Sequence, residues 1–162
     1  MVGTLLVSAW NFLVDPYDMW HGRTWHGCNH FKSRTEGQFN RMAKAHEIRR
    51  LRPEVQLMGT SRADWGLDHR HPGLLAISTN TYNASLAGAS VYELYRYLQH
   101  AHHYRPVRAV VLGLDIELFN LVDRRDSFRE YRLAVDTNME FQVRSLLADR
   151  IETLFTQDAL QA

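Results

Sequence analysis

The sequence predicts an α/β domain with a mostly parallel sheet. Segments with strand and helix patterns alternate along the chain, which favours parallel strands joined by helical crossovers. The strand segments are short, and the strongest one is apolar on both faces, as buried parallel strands are. A length of 162 residues, with 45% hydrophobic and 23% charged residues, is typical of one globular domain.

The first elements of this domain are a helix and two short strands. Residues 36–51, EGQFNRMAKAHEIRRL, place apolar side chains at roughly helical spacing, and Pro53 follows the end of that pattern. Residues 54–61, EVQLMGTS, are an apolar run that ends in a glycine turn, which predicts a buried strand. A second strand is predicted within residues 78–86, STNTYNASL.

The remaining elements are a long helix, the strongest strand and a C-terminal helix. Residues 86–104, LAGASVYELYRYLQHAHHY, have the helical period, and Pro106 closes that helix. Residues 107–119, VRAVVLGLDIELF, form the strand that is apolar on both faces. The polar residues 121–133 predict a loop or a helix, and residues 138–156 predict a helix.

The helical period also predicts which side chains of residues 86–104 are buried. We expect Tyr95 in the core with Val91 and Leu98, and Tyr92 and Tyr97 partly exposed to solvent. The polar residues expected at the surface are the i, i+3 pair Glu93 and Arg96 and the three histidines near the helix end, whose protonated forms suit the helix dipole: His100, His102 and His103.

Three regions divide the chain. Residues 1–20 are expected to be the tail of an N-terminal membrane anchor, because residues 2–14, VGTLLVSAWNFLV, carry no charge and aromatic residues flank them. That stretch is shorter than the roughly 20 residues of a full span, so a buried helix or strand is the alternative. Residues 21–35 predict an extended arm, and residues 36–162 predict the N-terminal part of the α/β domain.

Charge and metal-ligand patterns exclude two function classes. A formal net charge of +1 gives no overall attraction to nucleic acid, so no nucleic-acid partner is predicted. His21, His26, Cys28 and His30 lie on the arm, but their spacing is not that of a zinc knuckle. We therefore expect a histidine-rich surface arm, no metal site and no other cofactor.

Ser61 is the first candidate for chemistry. It follows a predicted strand and the tight turn at Gly59, where a parallel sheet can present a serine nucleophile beside backbone amides. The alternative is that Thr60 or Ser61 caps the next helix, which serine and threonine commonly do. The sequence Gly-Thr-Ser lacks the fuller G-x-S-x-G motif, so both interpretations stay open.

Three segments together resemble the SGNH/GDSL hydrolase superfamily, and most closely its membrane-anchored bacterial branch related to alginate O-acetylation and D-alanyl transfer proteins. These segments are LMGTSRADWGLDHRHP, TYNASLAGASVYELYRYLQHA and VRAVVLGLDIELFN. The resemblance implies an SGNH/flavodoxin-like three-layer sandwich that is incomplete in this chain. It also implies that Ser61 is the nucleophile and that the Gly88 amide belongs to the oxyanion hole. Asn83, just past the second strand, is a further candidate oxyanion donor by its position, and an ordinary turn former is the alternative.

The sequence departs from the family pattern at two places. Gly113-Leu114-Asp115 stands where the family has Gly-x-Asn-Asp, so no asparagine is offered there; Asp115 remains a site candidate. The Asp-x-x-His segment that supplies the catalytic base is not found near the C-terminus. Asp68 and His71 spell that motif only seven residues after Ser61, and a surface turn before Pro72 is the alternative.

These observations predict an SGNH-like acyl esterase or O-acyltransferase that acts on cell-envelope polysaccharide. The chain looks truncated, and as a fragment it is expected to be inactive. Arg62 would orient an anionic group of the substrate or pair with Asp64 or Asp115. The implied partners are a polysaccharide or an acyl-donor protein, and the implied location is the cell membrane, with the domain on the extracytoplasmic side. The alternative function is a non-catalytic SGNH-like envelope protein that binds glycan or a partner assembly.

Overall fold

Three parallel strands with helices packed against them form the centre of the structure, which is a computed structural model. It describes residues 2–15, 20, 38–119, 128–142 and 144–155; the predicted arm at 21–35 lies outside these ranges. The elements are α1 (Val2–Val14), α2 (Gln38–Leu51), β1 (Val55–Met58), α3 (Ser61–Gly66), α4 (Pro72–Leu75), β2 (Thr81–Asn83), α5 (Val91–Tyr104), β3 (Ala109–Leu112), α6 (Arg144–Leu154) and two single 3-10 turns, Ile116–Phe119 and Glu130–Arg132.

The strand order is β2-β1-β3, with every pair parallel, so β1 lies in the middle. Leu57 of β1 stands opposite Asn83 of β2 and Val111 of β3. All four residues of β1 are buried, as its continuous apolar pattern requires. The predicted mixed α/β class with a parallel sheet is confirmed, and the arrangement is compatible with part of an α/β sandwich.

The core lies between the sheet and the two long helices. Ile48 of α2, Met58 of β1, and Leu94 and Tyr97 of α5 belong to one buried cluster. Strand β3 differs from β1, because it lies at the sheet edge and Leu112 is 47% exposed. The strand with the strongest apolar pattern is therefore the less buried of the two.

Helix α5 begins later than predicted and buries a different face. Gly88 has φ +63°, a left-handed conformation that interrupts a helix, and the hydroxyl of Ser90 accepts the Glu93 N–H at the true helix start. Tyr97 is 2% exposed, whereas Tyr95 is 56% exposed, so the prediction for this pair was wrong. The inward stripe runs through Leu94, Tyr97 and Ala101, at the spacing i, i+3 and i+7.

Three polar side chains of α5 expected at the surface are buried as well. Glu93, Arg96 and His100 are each at most 3% exposed, so the predicted surface pair of Glu93 and Arg96 is wrong. Arg96 donates instead to the carbonyls of Val135 at 2.7 Å and Asp136 at 2.9 Å. These bonds attach the segment after the second 3-10 turn to α5, a role that helical spacing alone does not reveal.

The C-terminal helix is shorter than the predicted 138–156. The carboxylate of Asp136 accepts the N–H groups of Asn138 and Glu140, and Val135 bridges to Phe141 in antiparallel fashion. This turn occupies the backbone groups that a helix would need, so α6 begins only at Arg144.

Helix α1 packs against α6 through a buried polar contact. The amide of Asn11, 2% exposed, donates to the carbonyl of Leu154 at 2.8 Å. Leu5 and Leu6 on the same helix are mostly exposed. None of the helices in the described ranges combines the length and the apolar character that crossing a bilayer requires.

Candidate functional site

The carboxyl ends of the three strands meet at one edge of the sheet. After β1 comes Gly59-Thr60-Ser61, after β2 comes Ala84-Ser85-Leu86, and after β3 comes Gly113-Leu114-Asp115. In open α/β sheets this edge is where ligands bind. The predicted candidates Ser61, Asn83 and Asp115 are therefore all at or just past it.

Two glycines allow the β1 and β3 loops to touch. The Gly113 N–H donates to the Met58 carbonyl at 2.8 Å, so the two loops continue the pairing of their strands. A Cβ on Gly59 would lie 2.6 Å from the Ala63 Cβ and 2.8 Å from the Gly113 oxygen. Only glycine fits at position 59 without moving α3 or the β3 loop.

We expect Gly59→Ala to lower the free energy of unfolding by about 1 to 3 kcal/mol, because its methyl group overpacks two fixed neighbours. The matched control is Gly66→Ala in α3, where an added Cβ meets nothing within 4 Å. Urea unfolding monitored by circular dichroism would compare the two. Equal stability of both variants would contradict the close contact between the loops.

Asp115 is bound to residues on both sides of Ser61. The Thr60 hydroxyl donates to one Asp115 oxygen, and the Arg62 guanidinium donates to the other at 3.2 Å. Thr60 holds the N-cap position of α3, yet its side chain makes no capping bond to the helix. Of the two aspartates considered for Arg62, the structure pairs it with Asp115. Ser61 therefore lies in the chain between Thr60 and Arg62, whose side chains are both held by Asp115.

Ser61 is the first residue of α3 and is half-buried. Within the described part of the chain, its hydroxyl forms no hydrogen bond, so neither Asp115 nor a histidine is bonded to it. Of the two residues considered as the helix cap, Thr60 occupies the N-cap position, without a side-chain capping bond, and Ser61 does not.

Gly88 lies in the loop that follows β2. The Ala84 N–H donates to the Leu57 carbonyl at 2.8 Å, and the Leu86 N–H donates to the Gly59 carbonyl at 2.9 Å, so the two loops stay paired as far as these residues. The Leu86 carbonyl then accepts the Ala89 N–H at 3.2 Å, which turns the chain away from the β1 loop. Among the described residues, the Gly88 N–H has no acceptor.

The amide of Asn83 is already used within the fold. Its nitrogen donates to the carbonyls of Ala63 and Leu67, both at 3.0 Å, and its oxygen accepts the Ser85 N–H at 3.1 Å. Asn83 thus satisfies carbonyls at the C-terminal end of α3. In this structure the N–H groups of the Asn83 side chain are therefore not directed at Ser61.

Asp68 and His71 belong to a turn at the opposite end of the sheet, where the strands begin. Asp68 accepts the Arg70 N–H, and the Nδ1 of exposed His71 accepts the Gly73 N–H. Between them, the His69 carbonyl accepts the hydroxyl of Thr81, the first residue of β2. The turn therefore lies near the strand starts, whereas Ser61 follows a strand end, and the structure does not bring the motif to the serine.

A buried lysine at this edge was not predicted. The ammonium group of Lys44 on α2 lies 2.5 Å from Asp64 of α3 and 2.5 Å from the Ser85 carbonyl, and Lys44 is 7% exposed. It connects α2, α3 and the end of β2. In the sequence Lys44 is one polar residue in an amphipathic helix, so nothing marked it for burial.

Comparisons with protein-family models, with curated proteins and with solved structures found no match to this chain. Within the ranges that the structure describes, no group of three or more His, Cys, Asp and Glu side chains could hold a metal ion.

Proposed function

We propose that the carboxyl edge of the sheet is the nucleophile half of a serine acyl-transfer site of the SGNH type. One observation carries the proposal: the loops after β1 and β2 hold a Ser61 hydroxyl and a Gly88 N–H that form no hydrogen bond among the described residues. A nucleophile and an oxyanion donor are the two parts that acyl transfer needs at the carbonyl group.

In the proposed reaction, the Ser61 oxygen attacks an acyl ester carbonyl while a general base takes the hydroxyl proton. The Gly88 N–H donates to the oxygen that becomes negative. Collapse of the intermediate breaks the bond to the sugar oxygen, which takes the proton back from the base, so the sugar alcohol is released and an acyl-serine remains. Water or a sugar hydroxyl then attacks the acyl-serine and regenerates Ser61. None of the histidines in the described ranges forms a hydrogen bond with Ser61, so the proposal assigns the base to none of them.

The proposed substrate is an acyl ester of cell-envelope polysaccharide, with an acyl-donor protein as a second partner. Arg62, which is exposed and paired to Asp115, would bind an anionic group of that substrate. The exposed leucines of α1 are consistent with attachment to the cell membrane, with the domain on the extracytoplasmic side.

A second candidate is a non-catalytic envelope protein that binds glycan or a partner assembly through the same edge. Two observations favour it: the Asn83 amide is held by α3 carbonyls, and Asp115 is held by Thr60 and Arg62. In that case the Ser61 hydroxyl would be a binding group and would never form a covalent bond.

Labelling with a fluorophosphonate separates the two functions. We expect the purified full-length protein to be labelled at Ser61 and Ser61→Ala to lose the label, because Ser61 is the proposed nucleophile. Ser78→Ala is the matched control: Ser78 is also half-buried, but its hydroxyl accepts the Asn80 N–H. Mass spectrometry of the labelled peptide gives the site, and an unlabelled wild-type protein would select the non-catalytic candidate.

A further inference from the structure

A buried ion pair lies behind the loop that carries Gly88. The Arg41 guanidinium on α2 holds Glu93 of α5 through Nε at 2.5 Å and Nη2 at 3.1 Å, and both residues are at most 5% exposed. Charged groups are rarely taken out of water unless each is paired and hydrogen-bonded. This pair uses both carboxylate oxygens, which fixes the direction of the guanidinium plane.

The same guanidinium also fixes one peptide unit. Its Nη2 donates to the Ala87 carbonyl at 3.0 Å. In a planar trans peptide the carbonyl and the following N–H point in opposite directions, so the Gly88 N–H points away from Arg41. With its φ of +63°, Gly88 lies where the chain leaves the β1 ladder. The Gly88 N–H, which has no acceptor among the described residues, is therefore held in a set direction by a buried side chain.

We infer that Arg41 is a positioning residue for the oxyanion donor, and that Glu93 holds Arg41 in the orientation that this requires. The inference rests on the proposed function and adds a residue that the reacting atoms never touch. Without the bond from Arg41, the 87–88 peptide can rotate, and the Gly88 N–H no longer meets the developing negative charge. An oxyanion donor acts in the transition state, so the loss should appear in the rate of bond formation and not in probe binding.

The test measures fluorophosphonate inactivation of the full-length protein, with the rate of covalent reaction separated from reversible probe binding. In that reaction the Ser61 oxygen displaces fluoride from phosphorus, the serine proton goes to the base, and the phosphoryl oxygen takes the place of the oxyanion. Arg41→Lys keeps the charge opposite Glu93 but cannot hold the carboxylate and the carbonyl with one planar group. We expect its limiting rate to fall about 10- to 100-fold with the probe dissociation constant unchanged.

Met42→Ala is the matched control, because Met42 is the fully buried neighbour of Arg41 on α2 and makes none of these bonds. It should lose thermal stability but keep its limiting rate within about twofold, since only packing is changed. A full rate in a folded Arg41→Lys would overturn the inference and leave the proposed function standing. A wild-type protein without label at Ser61 would overturn both.

Discussion

Asp149→Asn is expected to lower the free energy of unfolding by about 3 kcal/mol, because it leaves a buried arginine without its enclosed counter-charge. Asp149 of α6 is fully buried, 3.1 Å from the Nε of Arg132 and 3.2 Å from the Nε2 of His46. Arg132 is itself 4% exposed. The carboxylate thus joins α6 to the second 3-10 turn and to α2, and the isosteric amide removes its charge without leaving a cavity.

Glu152→Gln is the matched control for this prediction. Glu152 binds the same arginine, at 2.8 Å from Nη2, but its side chain is 43% exposed and is therefore screened by water. We expect this variant to lose less than about 1 kcal/mol. Urea unfolding at pH 7 measures both changes, and equal losses would show that the burial of Asp149 does not set the strength of the pair.

The sequence predicts the sheet well because its signals there are local. Residues 55–58 and 109–112 are short apolar runs bounded by turn residues, and the structure places strands at both. The first polar residues after these runs, Thr60 and Asp115, meet because the strands are parallel neighbours. The alternation of strand and helix segments in the sequence therefore predicts both the fold class and the end of the sheet at which the site candidates lie.

The buried charges could not be predicted in this way. Arg41 and Glu93 are 52 residues apart, and each looks like a surface residue of an amphipathic helix until the two helices pack together. Helical spacing also does not decide which face of α5 is buried. Two stripes on this helix are equally apolar: Val91, Tyr95 and Leu98 on one, and Leu94, Tyr97 and Ala101 on the other. Partners distant in the chain decided which stripe is buried, since the Tyr97 hydroxyl donates to the Arg41 carbonyl at 2.7 Å.

For the candidate site, the sequence indicated that Ser61 follows a strand end but not how the other groups are used. Asn83 was a candidate because it follows a strand, yet three-dimensional proximity to the end of α3 engages its amide. Asp68 and His71 match a motif in spacing, but they lie at the end of the sheet where the strands begin. A motif fixes separation along the chain, whereas catalysis depends on separation in space.

His100 gives the second large expected effect, a loss of about 3 kcal/mol of stability between pH 7 and pH 4. Its Nδ1 accepts the Ala134 N–H and its Nε2 donates to the Ala45 carbonyl, both at 2.8 Å, which fits only the neutral ring. Burial lowers the pKa of His100 from 6.5 to about 4, against the bond to Ala45, which favours the charged form.

The sign follows from which state binds the proton. Between pH 6.5 and pH 4 the unfolded chain protonates this histidine and the folded chain does not, so acid favours unfolding; above pH 7 the contribution is complete. His100→Gln keeps a donor for Ala45 but cannot titrate. Between pH 7 and pH 4, its free energy of unfolding measured in urea should therefore fall by about 3 kcal/mol less than that of the wild type. If His100→Gln kept the wild-type slope, the folded protein would protonate His100 as readily as the unfolded chain does, and its burial between Ala45 and Ala134 would not hold the ring neutral in acid.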